Sequence, residues 1–197
     1  MKIGANPETY IYLSATIIHA CAAFLLIRND WRRYGLLFIS ATLAGNTLCL
    51  IFLQSGLYSF PYRLFPGLSR MPLLAVTTMF GTYVLTGVRY SPRDWRHKIP
   101  FYWGIVHLGM LAETLAQNFT QLIRYDRHWD FWDSYTWWWI FLLGMEWFAS
   151  SIIPENLRKP IPSETFRYGK PGWFIFHFIV IVTIFLGGFY LAASVVK

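Results

Sequence analysis

Two carboxylic acids lie inside long apolar runs of this sequence, Glu113 in HLGMLAETLAQNF and Glu146 in FLLGMEWFASS. Three histidines, His19, His107 and His177, share that setting. An ionisable side chain in hydrocarbon costs about 2.5–3.5 kcal/mol or more unless it is paired, solvated or neutralised, so each such residue marks a place where chemistry is to be sought. An acid kept in apolar surroundings holds its proton until a substrate takes it, which is the behaviour of a general acid. The bland alternative is a structural acid hydrogen-bonded between helices. Two acids with several histidines in so short a chain favour a functional cavity.

A rise of about 1.5 Å per helical residue places His107 and Glu146 roughly 10 Å below one membrane surface, with His19 a little deeper, so these three can share a layer. Glu113 falls roughly 20 Å in, level with Thr77 and Thr78. The spacing of Glu113, Gln117, Gln121 and Arg124 predicts one stripe along a helix, walling a polar cavity that opens outward. The expected assignment makes Glu113 the general acid, positioned by Gln117, with Glu146 and His107 as a second acid–base pair. His19, Asn46, Thr78, Trp147 and Arg63 (bracketed by prolines in FPYRLFP) are expected to contact substrate. His177 lies close to an interface and reads as a wetted boundary residue.

A third cluster is the stretch DRHWDFWD, Asp126 to Asp133. Asp126, Asp130 and Asp133 are spaced i, i+4 and i+7, which would put three carboxylates on one helical face. Such a face can clamp Mg²⁺ or a diphosphate, because hard cations want several carboxylate oxygens. DRHWD also has the DxxxD spacing of intramembrane prenyltransferases, but this chain lacks the second aspartate-rich motif those enzymes use. The preferred reading is an interfacial aromatic segment whose acids face water and pair with neighbouring arginines. No cofactor is expected; Mg²⁺ at these aspartates is the one exception kept open.

The elements that must position these groups follow from composition. Of 197 residues, 55% are hydrophobic and only 14% are Asp, Glu, Lys or Arg, against about a quarter in soluble domains. Mean hydropathy is +0.38. Runs such as YIYLSATIIHACAAFLLI and WFIFHFIVIVTIFLGGFYLAASVV are about long enough to cross hydrocarbon. The expectation is an all-α, polytopic transmembrane helix bundle forming one domain over residues 1–197. Six spans are predicted, at about 8–28, 35–54, 71–89, 100–119, 135–153 and 173–195, with Pro and Gly gathered in the loops.

Eleven Lys and Arg lie in the first, third and fifth loops and six on the other side. That bias puts the three loops in the cytoplasm of a cell-membrane protein and both termini outside. No cleavable signal peptide is expected, since the first apolar run is long and contains His19. Tryptophans fall into two groups near the predicted boundaries, as amphipathic indoles do at headgroup depth. The net charge of +7 is spread over short loops and reads as a topology signal, with no nucleic-acid partner implied. Cys21 and Cys49 read as small packing residues. The CxxC, HExxH, GxSxG, P-loop and GxGxxG patterns are absent.

FPYRLFP (Phe60–Pro66), followed by AETLAQNFTQLIRYDRHW (Ala112–Trp129), resembles an uncharacterised family of short polytopic membrane proteins from Gram-positive spore-formers. The matching positions are Pro61, Arg63, Leu64, Pro66, Glu113, Thr120, Leu122, Ile123 and Trp129. The resemblance covers the central third of the chain, draws attention to Glu113 and Arg63, and implies no activity. A likeness in kind alone links the chain to small integral-membrane terpene cyclases, helical proteins of similar size that use intramembrane acids and aromatic rings. The expected function is therefore an enzyme acting on an isoprenoid or lipid within the bilayer by acid-initiated cyclisation or isomerisation. The alternative is a proton-linked carrier or lipid-binding protein without catalysis. Membrane lipids and a hydrophobic small molecule are the expected partners.

Overall fold

The computed structural model describes residues 6–126 and 128–166 and, beyond them, 169, 170, 173, 174, 176–178, 180–184 and 188. Its architecture is all-α. Helix α1 (Pro7–Ile27) starts where sequence chemistry demands, with Asn6 as N-cap accepting from the Glu8 N–H at 3.1 Å and proline in the first turn. Asp30 caps α2 (Trp31–Gln54) by accepting from the Arg33 N–H. Helix α3 (Leu73–Tyr90) follows Pro72, α4 (Trp95–Phe119) follows Asp94, and α5 (Phe131–Ala149) follows Asp130. Short 3₁₀ turns at Glu155–Leu157 and Ser163–Phe166 follow α5.

The five helices sit where five of the six spans were expected, with shifted ends. Helix α4 begins upstream of position 100 and runs through Pro100. Near a helix start the missing N–H costs only one backbone bond. Helix α5 stops at Ala149, where the Ser150 and Ser151 hydroxyls turn back onto the carbonyls of Trp147 and Phe148. The sixth expected span, 173–195, falls largely outside the described residues; the residues described within it are helical.

Helices α1 and α2 are long and apolar enough to cross a membrane, with mean hydropathy of 1.9 and 2.1 over their best windows. Among the described residues no other helix meets that measure. Large apolar side chains point outward, among them Ile18, Leu43, Leu108 and Phe119.

Helix α3 is the hub. It packs on α1 and α2 on one side and on α5 on the other, and α4 packs chiefly on α5. Close approach of α2 and α3 depends on glycine: a Cβ on Gly45 would lie 2.7 Å from Cγ of Phe80, and one on Gly81 2.2 Å from the ring of Phe38. Tyr34, Leu37, Leu85, Val88, Tyr102 and Val106 form the centre of the core.

One feature was absent from the sequence expectation. The loops after α2 and α4 join as a two-stranded antiparallel clasp, β1 (Tyr58–Ser59) with β2 (Arg124–Tyr125), pairing Tyr58 with Tyr125 and Ser59 with Arg124. Backbone bonds from Tyr62 N–H to the Gln121 carbonyl and from Asp126 N–H to the Leu57 carbonyl, each 2.8 Å, extend it.

Two expectations are overturned in this region. The stripe from Glu113 to Arg124 does not form, because α4 ends at Phe119 and Thr120 is extended, so Gln121 and Arg124 leave the helix. The three-aspartate face does not form either, because α5 starts only at Phe131. Asp130 and Asp133 instead make a reciprocal capping box at that start, and Asp126 pairs with Arg124 at 3.1 Å.

Candidate functional site

Glu113 stands on α4 with Gly109 and Ala116 one turn to either side and Ala112 next to it in sequence, all lining the same cavity. Small neighbours leave room for the large residues of α5. A Cβ at Gly109 would come within 3.2 Å of the Trp138 indole, so glycine there lets the ring lie close against α4. Ser134 and Trp138 lie one turn apart on α5, and both reach the same carboxylate. Trp138 Nε1 donates to Oε2 at 2.8 Å, and Ser134 Oγ donates to Oε1 at 2.7 Å. From β2, Tyr125 Oη donates to Oε1 at 2.8 Å.

The direction of these bonds is set by chemistry. An indole N–H can only donate. Trp129 Nε1 donates to Ser134 Oγ at 2.8 Å, which leaves the serine proton for Glu113. Glu113 is thus cradled by three neutral donors, and among the described residues no cation pairs with it. Such a donor set is complementary to the ionised carboxylate. Burial raises the Tyr125 hydroxyl above its ordinary range, and the neighbouring Glu113 carboxylate pushes it the same way, so this donor keeps its proton. Burial also raises Tyr58.

The carboxylate faces a cavity of about 280 Å³ with mainly aromatic walls. Phe52 lies 4.8 Å from Trp129 and 4.9 Å from Trp137, ring centre to ring centre, and Phe80 stacks on Trp138 at 5.3 Å. Tyr58, Phe60 and Ile123 of the clasped loops close one end. On the far wall His19 rests against Tyr83. The exposed lining residues are Ile11 of α1 and Ala112 of α4, two helices with little direct contact. The cavity therefore opens sideways between α1 and α4.

Glu146 sits at the other end of the bundle and is 1% exposed. Lys98 Nζ and Arg158 Nη1 both bond its Oε1, the latter at 2.6 Å, while Tyr102 Oη donates to Oε2 at 2.7 Å and Ser91 Oγ lies 3.4 Å away. Lys98 and Tyr102 are one turn apart on α4, Ser91 ends α3, and Arg158 comes from the strap beyond α5. The strap is held by backbone bonds from Lys159 to Arg89 and from Ile161 to Tyr90. The group is a buried ionic knot joining α3, α4 and α5.

The expected layer of His19, His107 and Glu146 is not assembled. His107 is exposed, with Nδ1 on the Trp103 carbonyl and its ring beside Trp103 and Tyr135. Gln117 is half-buried and lies outside the cavity lining. Asn46 bridges α2 and α3 by donating to the Thr42 carbonyl and to Thr77 Oγ1. Thr78 bonds back to its own helix at Leu74, and Trp147 is 74% exposed. Arg63 donates to the Arg70 carbonyl across its loop. His177 bonds the Trp173 carbonyl one turn earlier. Among the described residues no cluster of three or more His, Cys, Asp or Glu is placed to hold a metal ion.

Sequence reasoning reached Glu113 and His19 but missed Tyr125, Ser134 and Trp138. The i, i+4 pair Ser134–Trp138 was a usable signal; Tyr125 was hidden because the clasp that aims it joins two distant loops. No protein-family model, curated protein or solved structure matches this chain.

Proposed function

We propose that the chain is a multi-pass membrane protein, with segments 8–28, 35–54, 71–89, 100–119, 135–153 and 173–195 crossing the bilayer and the first, third and fifth loops in the cytoplasm. Within it, Glu113 performs acid–base chemistry on a hydrophobic isoprenoid or lipid. The outward apolar side chains of α1, α2 and α4 support the membrane placement. The observation that carries the chemistry is a carboxylate with three donors on the wall of an aromatic cavity.

The protonated acid gives its proton to an alkene carbon or epoxide oxygen, leaving a carbocation on the substrate. The cradle satisfies the carboxylate that remains, so the group is stabilised as the proton departs. Aromatic faces around the cavity attract the positive charge. Return of a proton from carbon to Glu113 closes the cycle as a cyclisation or isomerisation, with no change in atoms and no cofactor required. Lipid-soluble substrate enters from the bilayer between α1 and α4. Glu146 and His107 take no part in this scheme, since neither lines the cavity.

The test incubates purified protein in nanodiscs with a panel of all-trans polyprenyl alcohols and their terminal epoxides, and seeks products of unchanged mass by gas chromatography and mass spectrometry. Wild type converts a member of the panel and Glu113→Gln does not, while both unfold cooperatively. The variant does so at a modestly lower temperature, because its amide nitrogen cannot accept one of the three donors. Equal turnover in Glu113→Gln rules out the catalytic role. The sideways opening equally suits a lipid-binding protein or carrier, and that reading takes over if the panel quenches tryptophan fluorescence in wild type without conversion.

A further inference from the structure

We propose a second binding site, for a phosphate group, in the polar pocket at the Glu146 end of the bundle. This pocket, about 280 Å³, lies between the turn after α3 and the strap after α5, with Lys98, Arg158, Ser91 and Ser150 on its walls. Pro92, Pro154 and Pro160 stiffen its outline.

The buried charges beside this pocket do not balance. Lys98 and Arg158 have side chains only 11% and 9% exposed, and both bond the same oxygen of a single carboxylate, Glu146. The buried knot therefore holds two positive charges against one negative. Buried charges are ordinarily paired, and an uncompensated one is strongly unfavourable. The nearest further ion pair does not correct this: Arg93 and Glu155 stand 3.7 Å apart at the rim, each more than 70% exposed, and neutralise each other.

Donors are also left over. Arg158 Nε is buried without a hydrogen-bond partner, although the guanidinium fork is built to give parallel bonds to an oxyanion. An ammonium has three protons; that of Lys98 gives one to Glu146 and faces the Trp95 ring at 5.2 Å, which leaves protons for a further acceptor. The hydroxyls of Ser91 and Ser150 on the same walls already donate to Glu146 and to the Trp147 carbonyl. A guanidinium from the strap and an ammonium from α4 suit a tetrahedral anion with several acceptor oxygens. A phosphate group fits this donor set, as free phosphate or as a phospholipid headgroup, and supplies the missing negative charge.

Thermal unfolding followed by tryptophan fluorescence, with the whole chain in nanodiscs of a galactolipid, which carries no phosphate, tests the site. Sodium phosphate should raise the wild-type unfolding temperature by about 2–4 °C over sodium chloride at equal ionic strength. Arg158→Gln should lose the increment. Because that change also loosens Glu146, Ser150→Asp serves as the second variant. It places a carboxylate on the pocket wall and should remove the phosphate response, measured against its own unfolding temperature in chloride. Nanodiscs containing phosphatidic acid separate the sources. A headgroup occupant raises the temperature and leaves no further response to soluble phosphate, whereas a free-phosphate site responds in both lipid compositions. Identical wild-type temperatures in phosphate and chloride, and in both lipids, overturn the proposal, as does an undiminished response in Ser150→Asp.

Discussion

Trp138 on α5 donates a hydrogen bond from its indole N–H to Oε2 of Glu113 on α4 across 2.8 Å, at a crossing where Gly109 offers no side chain to hold the ring away. The bond joins two helices and leaves the acid complete on one side while its other face meets an aromatic cavity. A carboxylate so held is both a structural tie and a reactive group, and the two roles can be separated by mutation.

Trp138→Phe keeps an aromatic ring against Gly109 and removes only the donor. Loss of a hydrogen bond to a charged group costs about 1.5–3 kcal/mol, so turnover should fall about 10- to 150-fold. Product formation by mass spectrometry measures this. Unchanged turnover would mean that the indole N–H does not act on Glu113 during reaction.

Glu146→Gln should be far more damaging to stability than Glu113→Gln. It leaves Lys98 and Arg158 buried without their carboxylate, at a cost of about 3–5 kcal/mol. Adding Lys98→Met to Glu146→Gln should recover part of the loss, because one of the stranded charges is gone. Thermal unfolding of the single and double variants decides, and a mild effect of Glu146→Gln would argue against the ionic knot.

Gly45→Ala should destabilise the α2–α3 contact by about 1–3 kcal/mol, since the new methyl would meet Phe80 near its backbone, at Cγ and Cβ. Gly81→Ala should cost less. Its closer contact is with the ring end of Phe38, which can swing aside. Unfolding temperatures in the reverse order would contradict this packing.

Asp133, ahead of the proposed 135–153 span, gives a pH signature. Burial holds its carboxyl above the ordinary value of 3.8, the cap bond from Asp130 N–H opposing the shift and the Asp130 charge adding to it. The folded chain therefore binds this proton more readily than the unfolded chain. Its contribution to stability is complete below the ordinary aspartate range and is lost as pH rises through the raised value. Asp133→Asn keeps an acceptor for the cap without titrating. The stability of wild type relative to that variant should grow as pH falls from 7 toward about 4. A flat difference would show that burial of the carboxyl is not felt.

The sequence by itself determined the helices and the anomalies within them. Continuous apolar runs, Asn6 and Asp30 as caps, and prolines between segments are local features, and helix formation depends on residues three or four positions apart. Glu113 and Glu146 were conspicuous for the same reason, as acids whose immediate neighbours are apolar. Their partners were decided only by tertiary structure. Tyr125 reaches Glu113 because β2 pairs with β1 from a loop more than sixty residues earlier, and Glu146 meets Arg158 because a strap after α5 folds back under α3. Charge on Lys98 and Arg158 looked like a topology signal until packing brought both onto one carboxylate oxygen. Hydrogen bonds between distant segments leave no periodic trace, because shape and charge complementarity, and not spacing along the chain, select them.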